Sequence, residues 1–213
     1  DKIYFSQAHS ETTASNVTAA ISGNVASPTY LMCVDDSAEP PTTLNNTALI
    51  STTGASSISF SIALCLYVYG LNFKAGSGAV TANVSLSTFN NKLTTWEDCG
   101  FEVAGTISGS VSFNGNAGTV KAVNCRFKFG STAGAISSSG GGALVIEGGS
   151  VLSGSANVIN LFSFDNISSG VITGFDLSSL HAGVNIFHGA TGGKGVIRNS
   201  KLPASWTGTL TTT

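Results

Sequence analysis

Charge is what this 213-residue chain has least of. Its nine Lys and Arg and eleven Asp and Glu make up 9% of the residues, where roughly 25% is usual for a soluble domain. The nine basic residues are dispersed and the net charge is -2, so no positive field is available to collect nucleic acid or anionic lipid. Long exposed helix formers are equally scarce, which excludes long amphipathic helices. The longest apolar run, Ile62 to Leu71, covers ten residues and contains Tyr67 and Tyr69. That is well short of the roughly 20 needed to span a bilayer, so no membrane span is expected. The N-terminus, DKIYFSQAHSETT, has no basic start followed by an apolar stretch and does not read as a signal peptide. Four cysteines, Cys33, Cys65, Cys99 and Cys125, are too few and too widely spaced for a disulfide scaffold, and no C-x-x-C pair points to zinc.

What the chain has instead is 26 glycines, abundant Ser, Thr and Asn, and the β-formers Val, Ile, Phe and Thr. These are arranged in a repeat. Six segments share an alternating strand, a corner of Asp, Asn, Gly or Cys, and a second alternating strand: LYVYGLNFKAG (66–76), TTWEDCGFEVAG (94–105), VKAVNCRFKFGS (120–131), LVIEGGSVLSG (144–154), SGVITGFDLSS (169–179) and KGVIRNSKLP (194–203). Taking the first inward residue of each second strand gives a core stack of Phe73, Phe101, Phe127, Val151, Phe175 and Leu202, with steps of 28, 26, 24, 24 and 27 residues. A near-constant step of this size suits three short strands and three turns per coil, each coil stacked about 4.8 Å from the next. The chain is therefore expected to be all-β, a parallel solenoid of about six coils.

Within FEV (101–103), FKF (127–129) and FDL (175–177) the outer residues are apolar and the middle one charged, the period-2 pattern of one buried and one wet face. Glu102 and Lys128 then fall at equivalent places on adjacent coils and should pair on the surface. Asp98, Asn124, Gly148 and Asn199 each lie three residues before a presumed inward residue, and these residue types accept positive φ at a tight corner. Cys99 and Cys125 lie two before theirs and are expected to form a buried ladder of reduced thiols.

These N-C-x-F corners (Asn124, Cys125, Arg126, Phe127) and short V-x-F or L-x-F strands resemble the right-handed parallel β-helices of the pectin-lyase-like superfamily, which includes polysaccharide lyases and hydrolases and bacteriophage tailspikes and virion proteins. The resemblance covers residues 50–203. Residues 1–49, with the Pro40–Pro41 pair, are expected to form an N-terminal cap or attachment segment, with a short helix over Ala14 to Ile21 and a strand at 29–34. Residues 204–213 form a C-terminal tail, in which Trp206 is the candidate docking residue.

Candidate chemistry is thin. Glycoside hydrolysis needs two carboxyls about 5.5 Å apart for retention or 6.5–9.5 Å for inversion. Asp35 and Asp36 fall in the presumed cap, Glu97 and Asp98 are corner neighbours, and Glu147 lies two coils from Glu97. None forms the tight D-x-D or D-D on a β-helix face that characterises the hydrolases of the resembling family. Its lyases combine calcium-binding acids with an arginine base, whereas Arg126 and Arg198 have no acidic cluster beside them in sequence. His9, His181 and His188 show no metal-binding spacing, and no G-x-S-x-G elbow supports a serine nucleophile. No catalytic, metal or cofactor site is expected.

The resemblance and the charge-poor, hydroxyl-rich surface together imply a non-enzymatic structural protein of a bacteriophage virion, either a capsid decoration protein or a short fibre module. It would be made in the host cytoplasm and placed on the particle surface. Its expected partners are two further copies in a homotrimer, phage capsid or tail proteins, and a host surface glycan. A glycan-binding adhesin and a tailspike-type polysaccharide depolymerase are the alternatives.

Overall fold

The structure is a computed structural model describing residues 1–22, 28–88, 91–152, 154–155, 158–165, 167–189 and 193–212. All of its regular elements are strands, and nearly all pair in parallel with the strand one coil away. Three sheets result. The nine-strand sheet runs Lys2–Ser6, Thr29–Asp35, Leu66–Tyr69, Leu93–Glu97, Thr119–Val123, Ala143–Glu147, Ser169–Thr173 and Lys194–Arg198, with Thr43–Leu44 added antiparallel to Thr29–Asp35. The six-strand sheet runs Ser10–Thr13, Leu49–Thr52, Asn72–Gly78, Gly100–Gly105, Arg126–Phe129 and Ser150–Val151, and single bridges at Asp176 and Lys201 extend it. The eight-strand sheet runs from Val17–Ile21 to Thr211–Thr212. The chain visits the three in that order in each coil and makes a parallel β-solenoid of about seven turns.

Residues 2–21 and 29–62 supply coils ahead of the six expected. Lys2–Ser6, Ser10–Thr13 and Val17–Ile21 each pair in parallel with the next coil, so the helix expected over 14–21 is a strand. The reason is positional. At the end of the stack only one side of the coil is covered, and Lys2–Ser6 is largely exposed. Val17, Ala19 and Ile21 still turn inward, but Ala19 and Ala20 are helix formers that mark the alternation weakly in sequence.

One residue sets each passage from the nine-strand to the six-strand sheet. Asp98, Asn124, Gly148 and Asn199 have φ of 51°, 51°, 66° and 49°, as expected for a tight corner. Gly70 and Gly174 complete the ladder at 71° and 68°. A non-glycine residue held in this region costs about 1–3 kcal/mol unless its surroundings fix it. Here hydrogen bonds fix it. The corner N–H groups of Gly70, Asp98, Asn124, Gly148 and Gly174 donate to the carbonyls of Glu97, Val123, Glu147, Thr173 and Arg198 one coil ahead, at 2.8–3.0 Å. Two residues later, Gly100, Arg126, Ser150 and Asp176 donate back to the preceding coil at 2.9–3.1 Å.

The core is a column of stacked side chains. Phe73, Phe101, Phe127 and Val151 occupy matched positions, and successive rings lie 5.7 Å and 5.4 Å apart at 14° and 26°. Beyond Val151 the expected stack needs correction. Ser150 bridges Asp176, and Asp176 bridges Lys201, so the residues in line with Val151 are Leu177 and Leu202. Phe175 is buried but sits two residues earlier, in line with Cys125 and Gly149. The Phe175 ring nevertheless meets Phe127, with centroids 5.8 Å apart. A shift of two residues preserves the buried face, which is why the alternation could not reveal it. Leu202 does not belong to the buried core, since the last coil has no neighbour over it and leaves this side chain 38% exposed. Trp96 is fully buried among Phe60, Phe73 and Phe101, with centroids 5.8–5.9 Å away. Cys99 and Cys125 are buried free thiols in the expected ladder, and burial pushes the Cys99 thiol well above its ordinary pKa.

Substitution should separate the two ends of the column. Phe127→Ala is expected to cost about 3–5 kcal/mol through the cavity it leaves, and Leu202→Ala less than about 1 kcal/mol. Urea unfolding of the two variants checks this, and equal losses would contradict the exposed placement of Leu202 on the last coil.

Candidate functional site

Each sheet presents an outward face of distinct chemistry, because residues of matched register stack into columns along the axis. On the eight-strand sheet one column reads Thr18, Ser59, Ser85, Ser112, Ser137, Ser163 and His188. Neighbouring side chains bond to one another: the Ser137 hydroxyl donates to that of Ser112 at 2.9 Å, and in an adjacent column the Ser139 hydroxyl donates to Asn114 Oδ1 at 2.6 Å. The nine-strand sheet faces outward with all four tyrosines of the chain. Tyr30 and Tyr67 lead one column, followed by Thr95, Lys121, Val145, Val171 and Val196; Tyr4, Met32 and Tyr69 lead the next, followed by Glu97, Val123, Glu147, Thr173 and Arg198. The six-strand sheet carries Lys74, Glu102, Arg126 and Lys128.

The candidate acids do not converge. Glu97 and Glu147 share a column but are separated by Val123, about 9.6 Å apart at Cα over two coil spacings. The valine side chain occupies the place an activated water would need. Each carboxylate also has its own partner, since the Tyr67 hydroxyl donates to Glu97 at 2.7 Å and Lys121 pairs with Glu147 at 2.8 Å. Asp98 is spent on the corner, beside Tyr69, whose phenol is raised above its ordinary pKa by burial and by hydrogen bonding to Asp98. Asp35 accepts from Gln7 and from the Ser37 N–H at 3.0 Å and 2.9 Å, and Asp36 is exposed.

A general acid needs a pKa held high. The carboxylates that clearly depart from the ordinary range here move the other way. Asp35 is lowered by the Ser37 backbone N–H and hydroxyl, and Asp176 by the Ser178 side chain and N–H with help from Lys201. Burial works against ionisation of Asp165, yet hydrogen bonds from Ser168, Gly140 and Ile167 bring it down.

The histidines are scattered. His9 lies 3.8 Å from Glu11. His181 donates from Nε2 to the Val158 carbonyl at 2.7 Å and accepts from the Gly183 N–H at 3.1 Å, an arrangement that suits the neutral ring. His188 stands in the serine column. Among the described residues no three His, Cys, Asp or Glu side chains come together as a metal site, and no helix is long and apolar enough to cross a membrane. Arg198 ends the nine-strand face. Trp206 packs on the last coil, partly buried, and its indole N–H donates to the Val184 carbonyl at 2.7 Å, so it closes that end of the stack.

Comparison with protein families, with curated proteins and with solved structures finds no match. The arrangement of side chains on the three faces therefore has to carry the functional argument. Sequence reading missed those faces because it followed the inward positions; the signal was available in the middle residues of each strand once the register was known.

Seven charged groups act as ties between coils. Glu102 lies between Lys74 at 3.8 Å and Lys128 at 3.3 Å, the latter pair as expected from the sequence, and Asp176 lies 3.5 Å from Lys201 in a chain whose Asp176 hydrogen bonds already favour the ionised form. A carboxylate with a folded-state pKa below its unfolded value contributes stability above the unfolded pKa and loses it as pH falls through the folded one. The urea midpoint should therefore fall as pH drops below about 4, and Asp176→Asn should flatten that fall while leaving neutral-pH stability within about 1 kcal/mol. An unchanged acid profile in the variant would contradict the tie.

Proposed function

We propose that this chain is a non-enzymatic structural protein of a bacteriophage virion, a surface decoration protein or short fibre module that assembles as a homotrimer through the outer face of the nine-strand sheet. The observation that carries the reading is the run of Val145, Val171 and Val196 on consecutive coils, with Val123 beside it. Val171 and Val196 are each 41% exposed. A charge-poor sheet face with an apolar column favours lateral association, and three prisms packed about one axis bury one such face each in a closed, finite assembly.

Several features support a structural role over a catalytic one. Glu102, Glu147 and Asp176 are engaged in holding coils in register, and the lowered pKa of Asp176 runs opposite to what acid catalysis requires. About seven turns at about 4.8 Å each give a rigid prism near 34 Å long, a short spacer or surface knob. The virion assignment rests on the resemblance of the N-C-x-F corners to phage β-helices and on the hydroxyl-rich surface.

Analytical ultracentrifugation should give a species three times the 21.5 kDa of one chain. The double variant Val171→Lys/Val196→Lys should sediment as a folded monomer with unchanged circular dichroism. The intact protein should also co-sediment with phage capsids. A wild-type monomer at high concentration would refute the trimer, and failure to bind capsids or tails would refute the virion role.

A further inference from the structure

We propose that the acidic hairpin loop of residues 36–42 docks into the basic groove around Arg126 of a second copy of this chain, on the outer face of the six-strand sheet. The contact is independent of the valine column, which lies on a different sheet.

The loop is an insertion that the coil itself does not need. Elsewhere the chain passes from the nine-strand to the six-strand sheet through two residues, 98–99 or 124–125, whereas in this coil it takes residues 36–48. The insertion is held at its base. Thr43–Leu44 pairs antiparallel with Val34 and Asp35, and the Gln7 side-chain amide donates to Asp35 at 3.0 Å and accepts from Asn45 at 2.5 Å. Residues 36–40 are all exposed. The Ser37 N–H donates to Asp35 at 2.9 Å, and Pro40 and Pro41 have fixed φ, so the loop loses little freedom on docking. It carries Asp36 and Glu39, and neither forms an ion pair among the described residues.

The groove has the complementary charge. It crosses three coils and is lined by Asn72, Lys74, Gly100, Glu102, Arg126 and Lys128. Asn72, Gly100 and Arg126 form one outward column and Lys74, Glu102 and Lys128 the adjacent one. Gly100 leaves a notch in the first column, and Arg126 extends across it to donate from Nη2 to Asn72 Oδ1 at 3.2 Å. Glu102 uses one oxygen, Oε1, for both lysines, at 3.8 Å and 3.3 Å, and among the described residues no carboxylate pairs with Arg126. Three cations thus face one carboxylate in the groove, while two carboxylates stand unpaired on the loop. A guanidinium oriented by an amide keeps further N–H donors for a carboxylate.

Spacing selects a second copy as the partner. Asp36 and Glu39 can lie up to about 10 Å apart. Arg126 and Lys128 are about 6.6 Å apart along one strand, and Lys74 is about 9.6 Å from Lys128 across two coils. The loop leaves the second coil and the groove is centred on Gly100 of the fourth, about 9.6 Å further along the axis. A two-fold axis at the third coil, perpendicular to the stack, sets each loop against the other chain's groove. The contact is then made twice and closes, and its opposed charges give it specificity and a dependence on salt.

The test is sedimentation of the full chain carrying Val171→Lys/Val196→Lys, which disables the valine column, at low and at physiological salt. At low salt it should run at twice the 21.5 kDa of one chain, returning to a single chain as salt is added; an apolar contact would not weaken in this way. Asp36→Lys/Glu39→Lys and Arg126→Glu, introduced separately, should each abolish the pairing. Mixed in equal amounts the two should pair again, because each then meets opposite charge in both places. Glu102→Gln, which frees both lysines, should tighten the pairing. If the valine variant fails to fold, the same changes in the wild-type chain are read by light scattering, where the mixture should scatter more than either variant alone. Absence of low-salt association, or a mixture that does not associate, would overturn the proposal. Poly-glutamate binding to the groove of a chain that does not pair with itself would overturn the second copy as occupant. A wild-type chain that is monomeric at physiological salt yet pairs at low salt would strike only the trimer.

Discussion

Each coil of this solenoid must turn from one sheet to the next within a single residue, and must do so at the same height as its neighbours. Gly70, Asp98, Asn124, Gly148, Gly174 and Asn199 meet that requirement with positive φ. In all but Asn199 on the last coil the corner N–H bonds forward, and the residues two positions on bond back. A corner displaced by one residue would break both ladders and turn inward side chains out. The aromatic stack of Phe73, Phe101 and Phe127 follows from that registration, because rings can lie 5.4–5.7 Å apart only if their backbones are already aligned.

The same registration organises the outside. Residues that alternate with the core positions are forced into columns, so three strands per coil produce three faces, one of serine hydroxyls, one of tyrosine and valine, and one of paired charges. In a chain with so few charges, their concentration into columns gives them local effect. Lys74, Glu102 and Lys128 tie three coils together, and Lys121 and Glu147 tie two. Exposed ion pairs of this kind contribute little stability singly, but they penalise a slipped register, which would bring like charges or unpaired ones together.

The repeat, the buried face of each strand, the corner positions and the cysteine ladder were legible in the sequence because each is set locally, by alternation and by which residues tolerate positive φ. Phe127 at the core and Asn124 at the corner are inevitable consequences of that pattern. The coil of residues 2–21 was hidden, since a terminal coil is packed on one side and its inward Val17, Ala19 and Ile21 are only partly buried. The partner of Val151 was hidden too. Phe175 and Leu177 both point inward, and only the bridge from Ser150 to Asp176 distinguishes them. The sequence by itself determined a parallel β-solenoid, because period 2 within strands and a step near 26 residues admit few other architectures. Which outward residues meet, and so where Arg126 crosses the Gly100 notch or where Val171 lies above Val145, was decided only by the tertiary structure, since those contacts join residues about 25 or 50 apart and depend on the summed length of every turn between them.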